Sequence, residues 1–311
     1  MNILLVDDNY RMGDDRTRIK FVKKLATFKD VRLGQLSLSP NLSEKTFKDL
    51  KIKPDLLFFM LYKPTIRQTW PPFLFNLGIP TVLLEEDHYE TKFDSLVYSD
   101  KTVLDWYKDN KISLLLRRHS YEEKAPVESV WLPFSANEEE CGSFKVTLNK
   151  IGFAGSHTST QAYYDVRRLA IKKLQEANLL DTNYGKIYDN YFSYLGSHIG
   201  CLACSGGILH TCLAKTFEIP LTGSVLLTNK IDYSDLLFGN KKCYFEYKDD
   251  CSDIVDIAEF ILQNNKEVQE VAYNGKQRVF EHHTDSKRIQ ELYNILKALI
   301  EKKPIPKKWG Q

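Results

Sequence analysis

The sequence predicts an α/β protein made of two domains, each organised around a parallel β-sheet. Short apolar runs rich in β-forming residues alternate with amphipathic helical segments along the chain, which is the pattern of parallel α/β architecture. The length of 311 residues is enough for two domains of ordinary size. A polar segment at residues 136–149 interrupts the alternation and marks the expected boundary.

Strands are expected where apolar runs are bounded by turn residues. In the first half they are predicted at residues 3–6, 55–59, 81–85, 95–99, 112–116 and 130–133. In the second half they are predicted at residues 150–154, 198–204, 224–228 and 244–247. Three- and four-residue apolar spacing predicts helices at residues 162–174, 254–261 and 289–299. The Pro- and Lys-rich tail from residue 302 cannot continue the last helix.

Domain limits follow from the segments on either side of the polar stretch. The run Trp131-Leu132-Pro133-Phe134 ends the first half, and a strand that ends in Gly155 opens the second. A strand followed by a glycine turn is how a Rossmann-like domain begins. We therefore expect an N-terminal domain at residues 1–140, a second domain at residues 150–290, and a C-terminal helix and tail at residues 291–311.

Composition excludes several classes of protein. A hydrophobic content of 43% fits a folded chain rather than a disordered one, and 43 basic residues against 41 acidic ones give no bulk field for a polyanionic partner. The N-terminus lacks the basic lead and cleavage site of a signal peptide. The apolar run at residues 56–62 is far shorter than the roughly 18 residues that span a bilayer. We expect a soluble cytoplasmic protein without membrane insertion.

The cysteines allow two interpretations. Cys201 and Cys204, with His210 and Cys212 nearby, have the spacing of a zinc cluster. Within a strand, however, alternate side chains point to opposite faces, so small buried cysteines are the better interpretation of the pattern. Without a secretory signal, reduced thiols are the expected state.

The most informative segment is the stretch from Lys215 to residue 228. It follows the strand at residues 198–204 and a glycine loop at Ser205-Gly206-Gly207. Glycines let the backbone approach a diphosphate, and a helix N-terminus offers free N–H donors and a favourable dipole. Lys215 adds positive charge, and Glu218 can accept hydrogen bonds from sugar or ribose hydroxyls. The alternative for Lys215 is a solvated helix face, with an ordinary ion pair to Glu218.

This segment resembles the donor-binding element of GT-B glycosyltransferases, especially the spore-maturation (CgeB-like) branch. There a basic residue, one spacer, Phe-Glu, a short apolar pair and a glycine precede a buried strand, as Lys215-Thr216-Phe217-Glu218 and Gly223 do here. The resemblance implies two Rossmann-like domains facing across a cleft and a nucleotide-diphosphate sugar as co-substrate. It also implies that the C-terminal helix and tail at residues 291–311 can cross back to the first domain. It implies no cofactor and no metal, because helix dipole and basic side chains offset the diphosphate charge. It is specific over about residues 150–290.

The resemblance also implies roles for individual residues. Many retaining GT-B enzymes have two glutamates eight residues apart, one toward the transferred sugar and one toward the ribose. Here His210 takes the first position and Glu218 the second, which leaves the stereochemical course open. The alternative for His210 is a residue near the helix start with no ligand. The donor-binding candidates are Gly155, Ser156, Arg168, Gly206, Gly207, Lys215, Thr216 and Glu218, and His210 is a catalytic candidate.

Two features of the second domain carry weaker signals. The turn at Gly155-Ser156 precedes a helix with Arg168, and it can present backbone N–H groups to a phosphate or be a plain turn. His283-Thr284 followed by Arg288 matches the family's closing region. For this last motif a structural cap on the final helix and a catalytic role both stay open.

In the first domain, polar residues follow strand ends, where ligands of parallel sheets bind. Asp8 follows the first strand, and Asp87 and His88 follow the strand at residues 81–85. An inverting transferase needs a carboxylate or histidine to accept the acceptor's proton, so Asp87 and His88 are candidate catalytic bases. Arg117 and Arg118 are acceptor-side candidates for an anion, or else a basic surface loop.

The sequence therefore predicts a glycosyltransferase for a nucleotide-diphosphate sugar and an acceptor hydroxyl. The acceptor is open: a hydroxymethylated DNA base, a polysaccharide, a protein or a small molecule. Lys63, Arg67, Arg117 and Arg118 can form a local basic surface for DNA. The alternatives are a nucleotide-binding regulatory module with a degenerate catalytic centre and a nucleotide-sugar epimerase.

Overall fold

The chain forms two compact units. The computed structural model describes residues 1–7, 19–37, 42–50, 52–61, 71–85, 103–120, 125, 127–142, 144–155, 164–183, 190–206 and 210–309. The first unit comprises Met1–Pro133 and Ile289–Gln311, and the second comprises Phe134–Arg288. Among the described residues, no helix is both long and apolar enough to cross a membrane.

Strands and helices alternate in both units. The strands are β1 (Asn2–Asp7), β2 (Arg32–Ser37), β3 (Leu56–Leu61), β4 (Thr81–Glu85), β5 (Leu114–Arg117), β6 (Ser129–Trp131), β7 (Leu148–Ala154), β8 (Leu180–Asn183), β9 (His198–Leu202), β10 (Val225–Thr228) and β11 (Phe245–Glu246). The helices are α1 (Ile19–Lys23), α2 (Glu44–Lys48), α3 (Val103–Asp109), α4 (Asp165–Glu176), α5 (Tyr191–Gly196), α6 (Ala214–Thr222), α7 (Ser234–Phe238), α8 (Ile254–Leu262), α9 (Lys266–His282) and α10 (Asp285–Ile300). Short 3₁₀ helices lie at Lys24–Thr27 and Pro72–Asn76.

The first unit is built on a sheet of strands in the order β2-β1-β3-β4-β5-β6. Every neighbouring pair is parallel. Alternate side chains of its strands enter opposite apolar clusters: Ile3 and Leu5 lie in one, and Leu4 and Val6 lie in the other. The part of α10 that belongs to this unit packs Leu292 and neighbouring apolar residues into the first cluster.

The second unit is built on a sheet in the order β11-β10-β9-β7-β8, again with parallel neighbours. In both sheets the first strand of the unit lies between the second and the third. Strand order therefore reverses beside that first strand, at β1 and β3 in one sheet and at β7 and β9 in the other. Ligands of open α/β sheets bind at the carboxyl ends of strands at such a switch point.

The prediction of parallel α/β architecture in two halves is confirmed. Pattern analysis did not predict the strands β2 and β8 or the helices α1, α2, α3, α5, α7 and α9. The predicted strand at residues 95–99 lies outside the described residues. In α9, the close approach of Gly275 to its neighbours is notable: a Cβ there would lie 2.7 Å from the carbonyl oxygen of Cys243 and 3.3 Å from Cβ of Pro220. The helix packs this closely because residue 275 has no side chain.

Candidate functional site

The candidate site lies at the switch point of the second sheet. Gly155 directly follows β7, and Ser205 and Gly206 lie in the loop after β9. The strands β7 and β9 are hydrogen-bonded neighbours, so the two glycine-containing segments leave the same edge of the sheet side by side. This is the location at which a parallel α/β sheet offers backbone N–H groups to a ligand.

Lys215, in the first turn of α6, reaches this switch point. A Cβ built on Gly155 would lie 3.5 Å from Nζ of Lys215 and 3.7 Å from its Cε, so the lysine side chain lies against the turn after β7. Lys215 is partly buried, unlike a lysine on a solvated helix face. A positive charge and a helix N-terminus are therefore directed to the same place, where both favour an anion.

The start of α6 is fixed by Thr216. Its Oγ1 accepts a hydrogen bond from the backbone N–H of Leu213 at 2.9 Å, and its own N–H donates to the Leu213 carbonyl at 3.0 Å. Thr216 is 2% exposed. This hydroxyl is thus used to cap the helix, and the structure gives it a role in shaping the site.

Glu218 lies one helical turn after Lys215. Its side chain is 8% exposed, and its Oε2 accepts a hydrogen bond from the hydroxyl of Tyr191 at 2.6 Å. Burial is costly for a carboxylate unless hydrogen bonds compensate. Tyr191, at the start of α5, is therefore a residue of the candidate site that sequence analysis missed, and it lies 27 positions from its partner in the sequence.

Asn229 organises the loop after β9 from the end of β10. It is 0% exposed, and its Oδ1 accepts from the backbone N–H and from the Oγ of Ser205, each at 2.9 Å. Its Nδ2 donates to the carbonyl oxygen of Gly206 at 2.7 Å and to Oδ1 of Asp249 at 2.8 Å. The amide therefore fixes the entrance of the glycine loop, and no sequence pattern had identified it.

His210 is bound to the same group of residues. Its Nε2 donates to Oδ2 of Asp249 at 2.7 Å, and its backbone carbonyl accepts from the N–H of Asp232 at 2.6 Å. The His210 side chain is 20% exposed. His210 precedes α6, so the structure places it in the loop before the helix and pairs it with a carboxylate.

The two neighbouring arginines of α4 differ in position. Arg168 forms an ion pair with Asp165 on the exposed side of the helix. Arg167 instead stacks on the ring of Tyr164 at 4.3 Å and donates from Nη2 to the carbonyl oxygen of Cys204 at 3.2 Å. Cys204 follows β9, so it is Arg167 that brings positive charge to the carboxyl end of that strand.

The acceptor-side arginines of the first unit are buried. Arg117 is 4% exposed and Arg118 is 2% exposed. The guanidinium of Arg118 lies 4.5 Å from the ring centre of Phe21, and its Nη1 donates to the carbonyl oxygen of Pro133 at 3.2 Å. These contacts make Arg118 part of the first unit's packing, and they differ from those of a basic surface loop.

Some candidates lie outside the described residues. They are Asp8, Lys63, Arg67, Asp87, His88, Ser156 and Gly207. The last described residue before Asp87 and His88 is Glu85, which is 0% exposed and accepts a hydrogen bond from the hydroxyl of Tyr107.

The closing motif is a packed junction in the second unit. The Nε2 of His283 donates to the carbonyl oxygen of Leu237 at 2.8 Å, and its Nδ1 accepts from Arg288 at 2.9 Å. Its ring stacks on Phe217 with a centroid distance of 4.4 Å. Burial, followed by the charge of Arg288, holds the pKa of His283 well below its usual value, so the ring is neutral at pH 7.

Cys201 and Cys204 are both buried, and burial raises the pKa of each thiol. Within the ranges that the structure describes, no group of three or more His, Cys, Asp or Glu side chains is arranged to hold a metal ion.

Comparison with known proteins shows which family and which solved structures this chain resembles. Residues 188–294, which include the loop after β9, α6 and α9, match the family described as Glycosyl transferase-like. The fold is similar to that of a sucrose-phosphate synthase from Thermosynechococcus elongatus, with a TM-score of 0.68, 9% identity, and coverage of 97% of this chain and 100% of that chain. No curated protein sequence matches the chain significantly.

Two further structures extend the likeness over both units. Anabaena Alr3699/HepE in complex with UDP and glucose has a TM-score of 0.65 and 9% identity, with 96% of this chain and 100% of that chain covered. An alpha-glucosyltransferase in complex with UDP and a 13-mer DNA containing a central A:G mismatch has a TM-score of 0.63 and 10% identity, with 96% and 99% covered. The chain has the GT-B fold of glycosyltransferases, as the sequence predicted.

Proposed function

We propose that the protein is a glycosyltransferase that transfers a hexosyl or pentosyl group from a UDP-sugar to an acceptor hydroxyl in the cytoplasm. The observation that carries this proposal is the position of Lys215. Its Nζ lies against Gly155 at the switch point of the second sheet, where the start of α6 also directs its N–H groups. A diphosphate is an anion that the charge of the lysine and the helix dipole both attract, and the glycine turns let the backbone approach it closely.

The donor's parts are assigned to side chains by their chemistry. Lys215 and the turn at Gly155 hold the diphosphate, and Arg167 adds charge from the carboxyl end of β9. These groups offset the negative charge that develops on the leaving UDP, so the proposed reaction needs no metal. Glu218, held by Tyr191, accepts hydrogen bonds from the ribose hydroxyls.

Two solved structures of similar fold support UDP as the nucleotide, because each is described as a complex with UDP. The family match at residues 188–294 supports transfer as the reaction. Membership of the spore-maturation branch stays a proposal based on the Lys215-to-Gly223 motif.

The acceptor side belongs to the first domain in this proposal. Asp87 or His88 takes the proton of the acceptor hydroxyl if the reaction inverts the anomeric centre, and Asp8 is a further acceptor-side candidate. A modified base in DNA is one acceptor to test, because one similar structure contains DNA. Polysaccharide, protein and small-molecule acceptors belong in the same panel.

The proposal is tested by turnover with a panel of UDP-sugars in the presence of EDTA. We expect slow release of UDP, since transferases hydrolyse their donors when no acceptor is present. Lys215→Ala should lower this rate at least about tenfold, because loss of a charge-assisted contact to the diphosphate is worth roughly 1.5–3 kcal/mol. The matched control is Lys172→Ala, because Lys172 is 71% exposed and pairs with Glu176 on the surface of α4.

The other outcomes separate the alternatives. UDP-sugar binding without UDP release indicates a regulatory module, and interconversion of the sugars indicates an epimerase. If Lys215→Ala and Lys172→Ala lower the rate of UDP release equally, Lys215 has no specific contact with the donor. Absence of any UDP or UDP-sugar binding contradicts the proposed function.

A further inference from the structure

A group of four polar side chains lies at the carboxyl ends of β9, β10 and β11. Ser205, Asn229, Asp249 and His210 are joined by hydrogen bonds of 2.7–2.9 Å. We call this group the 229 network. Ser205 follows β9, Asn229 follows β10 and Asp249 follows β11. The network therefore joins the ends of three adjacent strands, in the half of the sheet that is opposite the edge strand β8.

Inside the network, the amide of Asn229 determines the orientation of Asp249. Both acceptor contacts of Oδ1 are with Ser205, and both hydrogens of Nδ2 are used by Gly206 and Asp249. A fully buried amide with all these partners has one low-energy orientation. If the amide were rotated by 180°, its NH₂ group would face the N–H of Ser205 and its oxygen would face the oxygens of Gly206 and Asp249. Oδ1 of Asp249 is therefore fixed, and Oδ2 is left for His210.

Asp249 in turn determines the tautomer of His210. A carboxylate accepts hydrogen bonds, so the Nε2 atom that faces it at 2.7 Å must carry a proton. In the neutral imidazole, Nδ1 is then the unprotonated atom and a hydrogen-bond acceptor. The ring is 20% exposed, so part of it is accessible from outside the network.

We propose that Asp249 is a positioning residue that holds Nδ1 of His210 as an acceptor for a hydroxyl of the donor's sugar. This inference rests on the proposed function. The diphosphate position beside Lys215 and Gly155 lies at β7 and β9, and the 229 network continues from β9 along the same strand ends toward β11. A hydroxyl-rich sugar fits this polar group, since each hydroxyl needs hydrogen-bonding partners when it leaves water.

The test compares affinities for UDP and for the UDP-sugar that the wild-type protein hydrolyses fastest among UDP-glucose, UDP-galactose and UDP-N-acetylglucosamine. In Asp249→Asn, the amide can donate to Nε2 as well as accept from it, so the tautomer is no longer fixed. We expect UDP to bind as in the wild type, while the UDP-sugar loses about tenfold in affinity. A variant that had merely loosened the fold would lose affinity for both ligands.

Two further variants sharpen the result. In a His210→Ala background, Asp249→Asn should cause no additional loss, because Asp249 acts through the imidazole and the two effects are then not additive. The matched control is Asp250→Asn, since Asp250 is an exposed neighbouring carboxylate that accepts from the N–H of Ser252 at 2.9 Å. This control should keep both affinities.

Each failure has its own signature. If the wild type binds no UDP-sugar, the proposed function fails and this inference fails with it. If the wild type binds and hydrolyses UDP-sugars but Asp249→Asn keeps the wild-type affinity for them, the inference alone is overturned. Additive losses in the double variant also overturn it, because Asp249 would then act independently of His210.

Discussion

Glu218 is the single residue whose role is simplest to measure. Its carboxylate is 8% exposed and is held by the Tyr191 hydroxyl, so it meets a ligand with its lone pairs already oriented. Glu218→Ala removes a charge-assisted acceptor worth roughly 1.5–3 kcal/mol, and we expect UDP to bind about tenfold to a hundredfold more weakly by calorimetry. Tyr191→Phe should cause a smaller loss. A folded Glu218→Ala variant with wild-type affinity would show that the ribose lies elsewhere.

At the residue scale, the sequence indicated some site residues and could not indicate others. Lys215 and Glu218 stand in a local motif, which pattern analysis can find. Arg167 had no such signal: the buried stripe of α4 consists of Val166, Ala170, Ile171 and Leu174. Both Arg167 and Arg168 are partly buried, and only the fold shows that Arg167 is the one beside Cys204.

Other site residues had no local signal at all. Tyr191 meets Glu218 across 27 residues, and Asp249 meets His210 across 39. The two residues of each pair come into contact only because the fold brings their elements together. A single sequence does not specify which distant polar residues the topology brings together, so these contacts appear when the fold is known.

At the scale of elements, the strands that pattern analysis missed are both sheet edges. β2 ends the first sheet and β8 ends the second. An edge strand is covered on fewer sides, so it needs no continuous apolar run: β2 has the sequence RLGQLS and β8 has LDTN. The central strands β3, β4 and β9 are buried and apolar, and their positions were predicted from that property.

α9 escaped prediction for a different reason. Its sequence is rich in polar residues and contains Gly275 in the middle, and glycine lowers helix propensity by about 1 kcal/mol relative to alanine. The buried stripe of Val268, Val271, Gly275 and Val279 keeps helical spacing once the glycine is counted as an inward position. Packing against Cys243 and Pro220 therefore outweighs local propensity.

Gly275 gives a test of this packing. Gly275→Ala should gain up to about 1 kcal/mol of helix propensity, but its Cβ would lie 2.7 Å from a backbone oxygen, and overpacking of this kind costs typically 1–3 kcal/mol. We expect a net loss of stability in urea unfolding. The control is Gly142→Ala, since a Cβ at Gly142 would meet nothing within 4 Å. A Gly275→Ala variant more stable than the wild type would contradict the close approach.

At the scale of the whole molecule, proteins with very different sequences share this fold. Structures 9–10% identical to this chain share its architecture over 96–97% of its length. Such low identity is compatible with one fold because apolar patterning and volume determine the cores. The chemistry of a site has no such tolerance, because it requires particular side chains, such as Lys215 and Glu218, at particular positions.

Stability of the molecule should fall in mild acid because of His283. Its pKa in the folded protein is held well below the usual 6.5, first by burial and then by Arg288. Below about pH 6.5 the unfolded chain binds a proton that the folded protein does not, so stability decreases as the pH falls, by up to about 1.4 kcal/mol per pH unit. Urea unfolding at pH 7.5 and 5.5 measures this loss.

Two variants isolate the contribution of this histidine. His283→Gln should show about 1.4 kcal/mol less loss between the two pH values than the wild type, because glutamine does not titrate. His282→Gln is the comparison: its charge is the last of the causes that lower the pKa of His283, so this variant should change the wild-type dependence far less than His283→Gln does. Identical pH dependence in His283→Gln and the wild type would assign the acid sensitivity to other groups.

The first unit is made of two stretches of chain, and this has a consequence for how a newly synthesised molecule matures. Its apolar cluster includes Ile289, Leu292, Ile295 and Leu296, which leave the ribosome after the whole of residues 134–288. At about 5–20 residues per second, those intervening residues take on the order of 10–30 s to synthesise. During that time one face of the β1–β6 sheet has no helix α10 to cover it, whereas the second unit is one continuous stretch, Phe134–Arg288, and needs no residue that is made later. The nascent first unit is therefore the part of the protein most exposed to aggregation and most dependent on chaperones.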